Sequence, residues 1–126
     1  LTVDDAIKAK LLWIGWRYRH ISFPACVAVM LCVRNRVKEG NWLATLEKIE
    51  YDYSTPKPAS DQRDPILQDI ATAVDAVFTG ERVDRWTNGG THWIDTSCPM
   101  PTNVMLEMEK AGMARVATVA GLEIYK

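Results

Sequence analysis

Pro24-Ala25-Cys26-Val27-Ala28-Val29-Met30-Leu31-Cys32-Val33 is the stretch on which the fold turns. A helix drawn over Ala25 to Val33 is apolar on every face, and such a helix belongs in the middle of a domain, surrounded by other elements. Pro24 suits the first turn, where its missing N–H costs no hydrogen bond, and Gly40, after Val37-Lys38-Glu39, supplies a left-handed stop. The sequence therefore predicts a central helix, with Arg34, Asn35 and Arg36 emerging where it reaches the surface. Asn35 follows the apolar run closely enough that its amide is expected to fix a neighbouring loop or face a cleft. The run from Ile21 to Val33 is 13 residues long and contains Ser22 and Pro24. That is too short to cross a bilayer about 30 Å thick as a helix.

Working outward, Thr2 and Asp5 read as the start of a first helix, with Ile7, Leu11, Ile14 and Tyr18 at helical spacing and an end near Arg19. Asn41 is expected to cap a short third helix over Trp42 to Tyr51. Ser54 to Asp64, with Pro56 and Pro58, reads as an irregular loop. Asp64-Pro65 opens a fourth helix whose Ile66, Ile70, Val74, Val77 and Phe78 form one stripe ending at Gly80. Beyond it the pattern changes. Thr87-Asn88-Gly89-Gly90 is turn chemistry, Thr91 to Asp95 has the content of a short strand, and Cys98-Pro99-Met100-Pro101 breaks regular structure. A fifth helix is expected from Thr102 to Ala111. Ala114–Val119 and Leu122–Tyr125 then form a terminal hairpin around Ala120-Gly121. The sum is a helix-dominated α+β fold, one domain over residues 1–126, with its strands gathered toward the C-terminus.

At 126 residues the chain has room for one core. A net charge of -1 leaves no overall field to gather polyanions, so nucleic acid is not the expected partner. Cys26, Cys32 and Cys98 are odd in number and lack metal spacing, which suits reduced thiols. With only His20 and His92 and no ligand spacing around them, neither a metal nor a cofactor is expected. Leu1-Thr2-Val3-Asp4-Asp5 lacks the basic-then-apolar order of a signal peptide.

The residues that stand out chemically fall into three groups. Arg17, Arg19, His20, Arg34, Arg36 and Lys38 concentrate positive charge around the ends of the first two helices, a patch suited to a carboxylate, a phosphate or an acidic protein face. Glu39, Glu47, Glu50 and Asp52 are the acids near the third helix, the last two beside Tyr51 and Tyr53. Thr91, His92 and Trp93 sit on the strand after the glycine turn, where a groove could run. Trp13, Trp16, Trp42, Trp86 and Trp93 read mainly as core or interface anchors.

Taken in order, Val27-Ala28-Val29, Arg34-Asn35-Arg36-Val37, Gly89-Gly90-Thr91-His92-Trp93 and Ala117-Thr118-Val119-Ala120-Gly121-Leu122-Glu123-Ile124-Tyr125 resemble cell wall hydrolases of the spore-cortex-lytic type, in a version of the size carried by tailed phages. The resemblance implies a lysozyme-like fold, peptidoglycan as the target, cleavage of its glycan strands, and a setting in a virion or a bacterial host cell. It also implies a substrate groove bordered by Asn35, Thr91, His92 and Trp93. Such enzymes are expected to use a glutamic acid, because a glycosidic oxygen leaves only when a carboxylic acid of raised pKa hands it a proton. Counting back from Asn35 without gaps, that position falls on Arg17. A guanidinium, with a pKa above about 12, cannot serve as the acid. No acidic residue lies between Asp5 and Glu39. Either another carboxylate has taken over, with Glu39 and Glu47 the first candidates, or the chain keeps the scaffold as a non-catalytic virion component or other interaction protein.

Overall fold

A computed structural model describes residues 2–37, 40–49, 56–59, 61–97 and 101–126. Five helices and three strands follow one another as α1 (Val3–Trp16), α2 (Phe23–Arg36), α3 (Trp42–Lys48), α4 (Pro65–Thr79), β1 (His92–Asp95), α5 (Pro101–Lys110), β2 (Arg115–Val119) and β3 (Leu122–Tyr125). The fold is α+β and helix-rich.

The apolar run becomes the buried axis. Every residue from Ala25 to Val33 is buried, and α1 and α4 pack on α2 and on each other. Ser22 starts α2 by accepting the Ala25 N–H, with Pro24 in the first turn. Gly15 permits the close approach of α1: a Cβ there would meet Met30 Sδ at 3.1 Å and Ile70 Cγ2 at 3.3 Å. Thr2 and Asp5 form a reciprocal capping box at the start of α1. Asp64 caps α4 through the Ile66 N–H, and Gly80 closes that helix with φ at 78°.

Several boundaries differ from the sequence reading, among them α5, which begins at Pro101, a residue expected to break regular structure, and ends at Lys110. Helix α1 stops at Trp16, and the chain runs on through tight turns in which Tyr18, Arg19 and Ile21 donate backbone N–H groups to Gly15, Trp16 and Tyr18. Helix α2 stops at Arg36 and does not reach Gly40, because Val37 turns extended and buries its side chain. Asn41 makes no side-chain cap on α3; its carbonyl accepts the Thr45 hydroxyl instead. Residues 50–51, the expected end of α3, lie outside the described residues.

The strands form an antiparallel sheet in the order β1-β3-β2, so the expected hairpin is present and β1 lies on the free side of β3. Trp93 stands opposite Ile124 and His92 opposite Tyr125. The β2 register slips between Arg115 and Ala117, a bulge that lets Ala117 pair with Ile124. Leu122 and Ile124 join the helical core from β3, and Tyr125 is buried as well. Among the described residues, no helix is long and apolar enough to cross a membrane.

Candidate binding cleft

The site begins with a loop. Asp84 accepts the backbone N–H of Trp86 at 3.2 Å and of Thr87 at 2.9 Å on Oδ1. Its Oδ2 accepts the Thr87 hydroxyl and the Gly89 N–H, the latter at 3.1 Å. Asn35, in the last turn of α2, completes this arrangement by aiming Nδ2 at Asp84 Oδ2 at 2.9 Å, Thr87 Oγ1 at 3.2 Å and the Gly90 carbonyl at 2.9 Å. The donors to the carboxylate outweigh its partial burial and hold the Asp84 pKa below the usual aspartate value. Asn35 therefore spends its amide hydrogens on fixing the segment that delivers β1.

Arg36, the next residue, reaches the far end of the same segment. Its Nε donates to the Thr91 carbonyl, and its guanidinium carbon lies 5.2 Å from the centre of the Trp93 ring. Trp93 in turn donates its indole N–H to the Tyr18 hydroxyl at 2.7 Å, with the two rings edge to face. The turns after α1 place Arg17 beside Tyr18, its guanidinium carbon 5.5 Å from that ring.

These contacts leave a cleft of about 350 Å³ bordered by Arg17, Tyr18, Arg36, Ile49, His92, Trp93 and Met108. His92 and Trp93 are consecutive on an outer strand and leave opposite faces of it, and both border the cleft. His92 Nδ1 lies 2.9 Å from the Thr91 hydroxyl. Burial, and then the positive field of Arg36, pull the His92 pKa below its ordinary value, so the ring is neutral at pH 7.

The structure thus brings Arg17, His92 and Trp93 to one cleft, with Thr91 bonded to both His92 and Arg36. Asn35 lies behind it, holding the loop. Glu47 is exposed on α3 and does not border the cleft, and Glu39 lies outside the described residues. The expected basic patch assembles only in part. Arg19 turns back to the Trp16 carbonyl and ring, Arg34 lies over Trp42, and Lys38 lies outside the described residues. Sequence reasoning missed Asp84 as the loop organiser and Tyr18 as the partner of Trp93. The spacing Asp84-Arg85-Trp86-Thr87, an acid two and three residues ahead of backbone donors, was the available signal for the first.

Asp95, also on β1, is tied to Ser97 through the backbone N–H and hydroxyl and lies 3.7 Å from His20 Nε2. The Ser97 bonds and the nearby His20 outweigh its burial and lower its pKa. Cys26 and Cys32 are buried free thiols pushed up to about 12 by desolvation, which makes them inert packing groups. Cys98 lies outside the described residues. Among the described residues, no three His, Cys, Asp or Glu side chains come together as metal ligands. No family model, curated protein or solved structure matches the chain.

Proposed function

We propose that the chain is a binding domain on a lysozyme-like cell-wall-hydrolase scaffold, and that it holds peptidoglycan without cutting its glycan strands. One observation carries this reading. Arg17, at the position where the resemblance expects a proton-donating glutamate, borders the cleft.

The chemistry of the neighbouring acids points the same way. A glycosidase acid needs a raised pKa, so that it still carries its proton near neutrality. Asp84 and Asp95, the carboxylates closest in sequence to the cleft strand, are both lowered by the donors they accept. They are built as anionic anchors for loops. The cleft itself offers guanidinium groups and aromatic faces, which suit retention of an acidic, amide-rich polymer. A phage particle or an infected host cell is the setting the same resemblance suggests.

Sedimentation with purified sacculi tests the proposal. The chain should pellet with the sacculi and leave their turbidity unchanged, while a muralytic control clears them. Failure to pellet would refute the binding role, and clearing by the chain would refute the absence of cutting.

A further inference from the structure

A half-buried guanidinium without a counter-charge is costly, because the desolvation of the ion is repaid only by an anionic partner or a full set of acceptors. Arg36 is in that position. It donates to the Thr91 carbonyl, lies over the Trp93 ring and borders the open cleft with the uncharged His92, and among the described residues no carboxylate forms an ion pair with it.

From this geometry we infer that Arg36 receives the terminal carboxylate of a short peptide, whose last residue lies against Trp93 and Met108. The planar fork of the guanidinium matches a carboxylate, and its Nε is already committed to Thr91, which fixes the orientation of the remaining N–H groups. Trp93, Ile49 and Met108 give the wall an apolar part, which suits a small apolar side chain next to the acid. A volume of about 350 Å³ lies at the small end of ligand sites and suits the end of a chain better than its middle. His92 supplies a neutral hydrogen-bonding ring beside the carboxylate, suited to a peptide amide. This deepens the peptidoglycan reading and rests on it only for the choice of peptide, since stem peptides end in such carboxylates.

The test is a titration of the unaltered chain with N-acetyl-alanyl-alanine, with the same peptide as its C-terminal amide, and with inorganic phosphate. The resonance of the Trp93 indole N–H is followed by NMR. The acid form should shift that resonance saturably at millimolar concentration, and the amide should bind about tenfold or more weakly, the scale of one charge-assisted contact. Arg36→Gln should lose the response and Arg36→Lys keep part of it, with folding read from the same spectra. Equal binding of acid and amide, no response to either, or tighter binding of phosphate than of the peptide acid would each overturn the inference. The acid–amide comparison needs no variant, so a misfolded Arg36→Gln chain does not spare it. Sacculus sedimentation reports separately on the broader reading: a chain that pellets but ignores the peptide acid defeats only the inference.

Discussion

The Asn35 amide nitrogen lies 2.9 Å from Asp84 Oδ2, a side-chain bond between residues 49 positions apart that ties the end of the central helix to the loop ahead of β1. Through Thr87, fully buried, and the Gly90 carbonyl, the same amide sets where His92 and Trp93 emerge. Asp84→Ala would remove one acceptor of this amide and strand the Thr87 hydroxyl and three backbone donors. We expect a loss of about 2 to 3 kcal/mol in urea unfolding, the scale for removing a charged acceptor from satisfied donors. A change below a few tenths would mean the loop is held elsewhere.

The lowered pKa of Asp84 also fixes a pH dependence. Its folded pKa lies below the unfolded value of about 4, so the unfolded chain binds the proton more readily. The stabilisation is complete above that unfolded value and is lost as pH falls through the folded one. Thermal unfolding between neutral pH and pH about 3 should show a steeper acid decline in the natural chain than in Asp84→Asn, whose side chain does not titrate.

Gly90 stands where β1 begins, and a Cβ there would sit 2.0 Å from Ile124 Cγ2 and 2.9 Å from the Thr87 carbonyl. Gly90→Ala should therefore cost about 1 to 3 kcal/mol, as overpacking does, and should shift the Trp93 indole resonance by moving the strand. An unchanged midpoint and an unchanged spectrum would show that β3 yields without effect.

Much of this fold is legible in the sequence because its decisive signals are local. The apolar run of α2, the Thr2–Asp5 box, the Asp64-Pro65 to Gly80 frame of α4 and the hairpin around Ala120-Gly121 all stand where their patterns place them. The end of α2 that went astray is governed by packing distant in sequence. Val37 leaves the helix to reach the core, and Asn41 has no side-chain bond where its residue type suggests a cap. The cleft was legible in its parts, since Arg17, His92 and Trp93 meet there. The Asn35 amide fixes a neighbouring loop, one of the two roles its place after the apolar run suggests; what sequence could not reveal was which loop, or that Tyr18 would take the Trp93 N–H across 75 positions.

Arg17→Glu restores the residue type that the resemblance expects, yet should not restore cutting. The introduced carboxylate would share its cleft with Arg36, and a neighbouring cation lowers a carboxyl pKa when catalysis needs it raised. Retention on sacculi should weaken with the lost positive charge. Appearance of muralytic activity in this variant would show a cleft still shaped for the reaction.

The most direct measurement quantifies, in one incubation with purified sacculi, the protein retained in the pellet and the reducing sugar ends released. Retention with reducing ends at the level of buffer alone is the predicted result. Reducing ends that rise with time and protein concentration would contradict it, and would place a working acid in this chain.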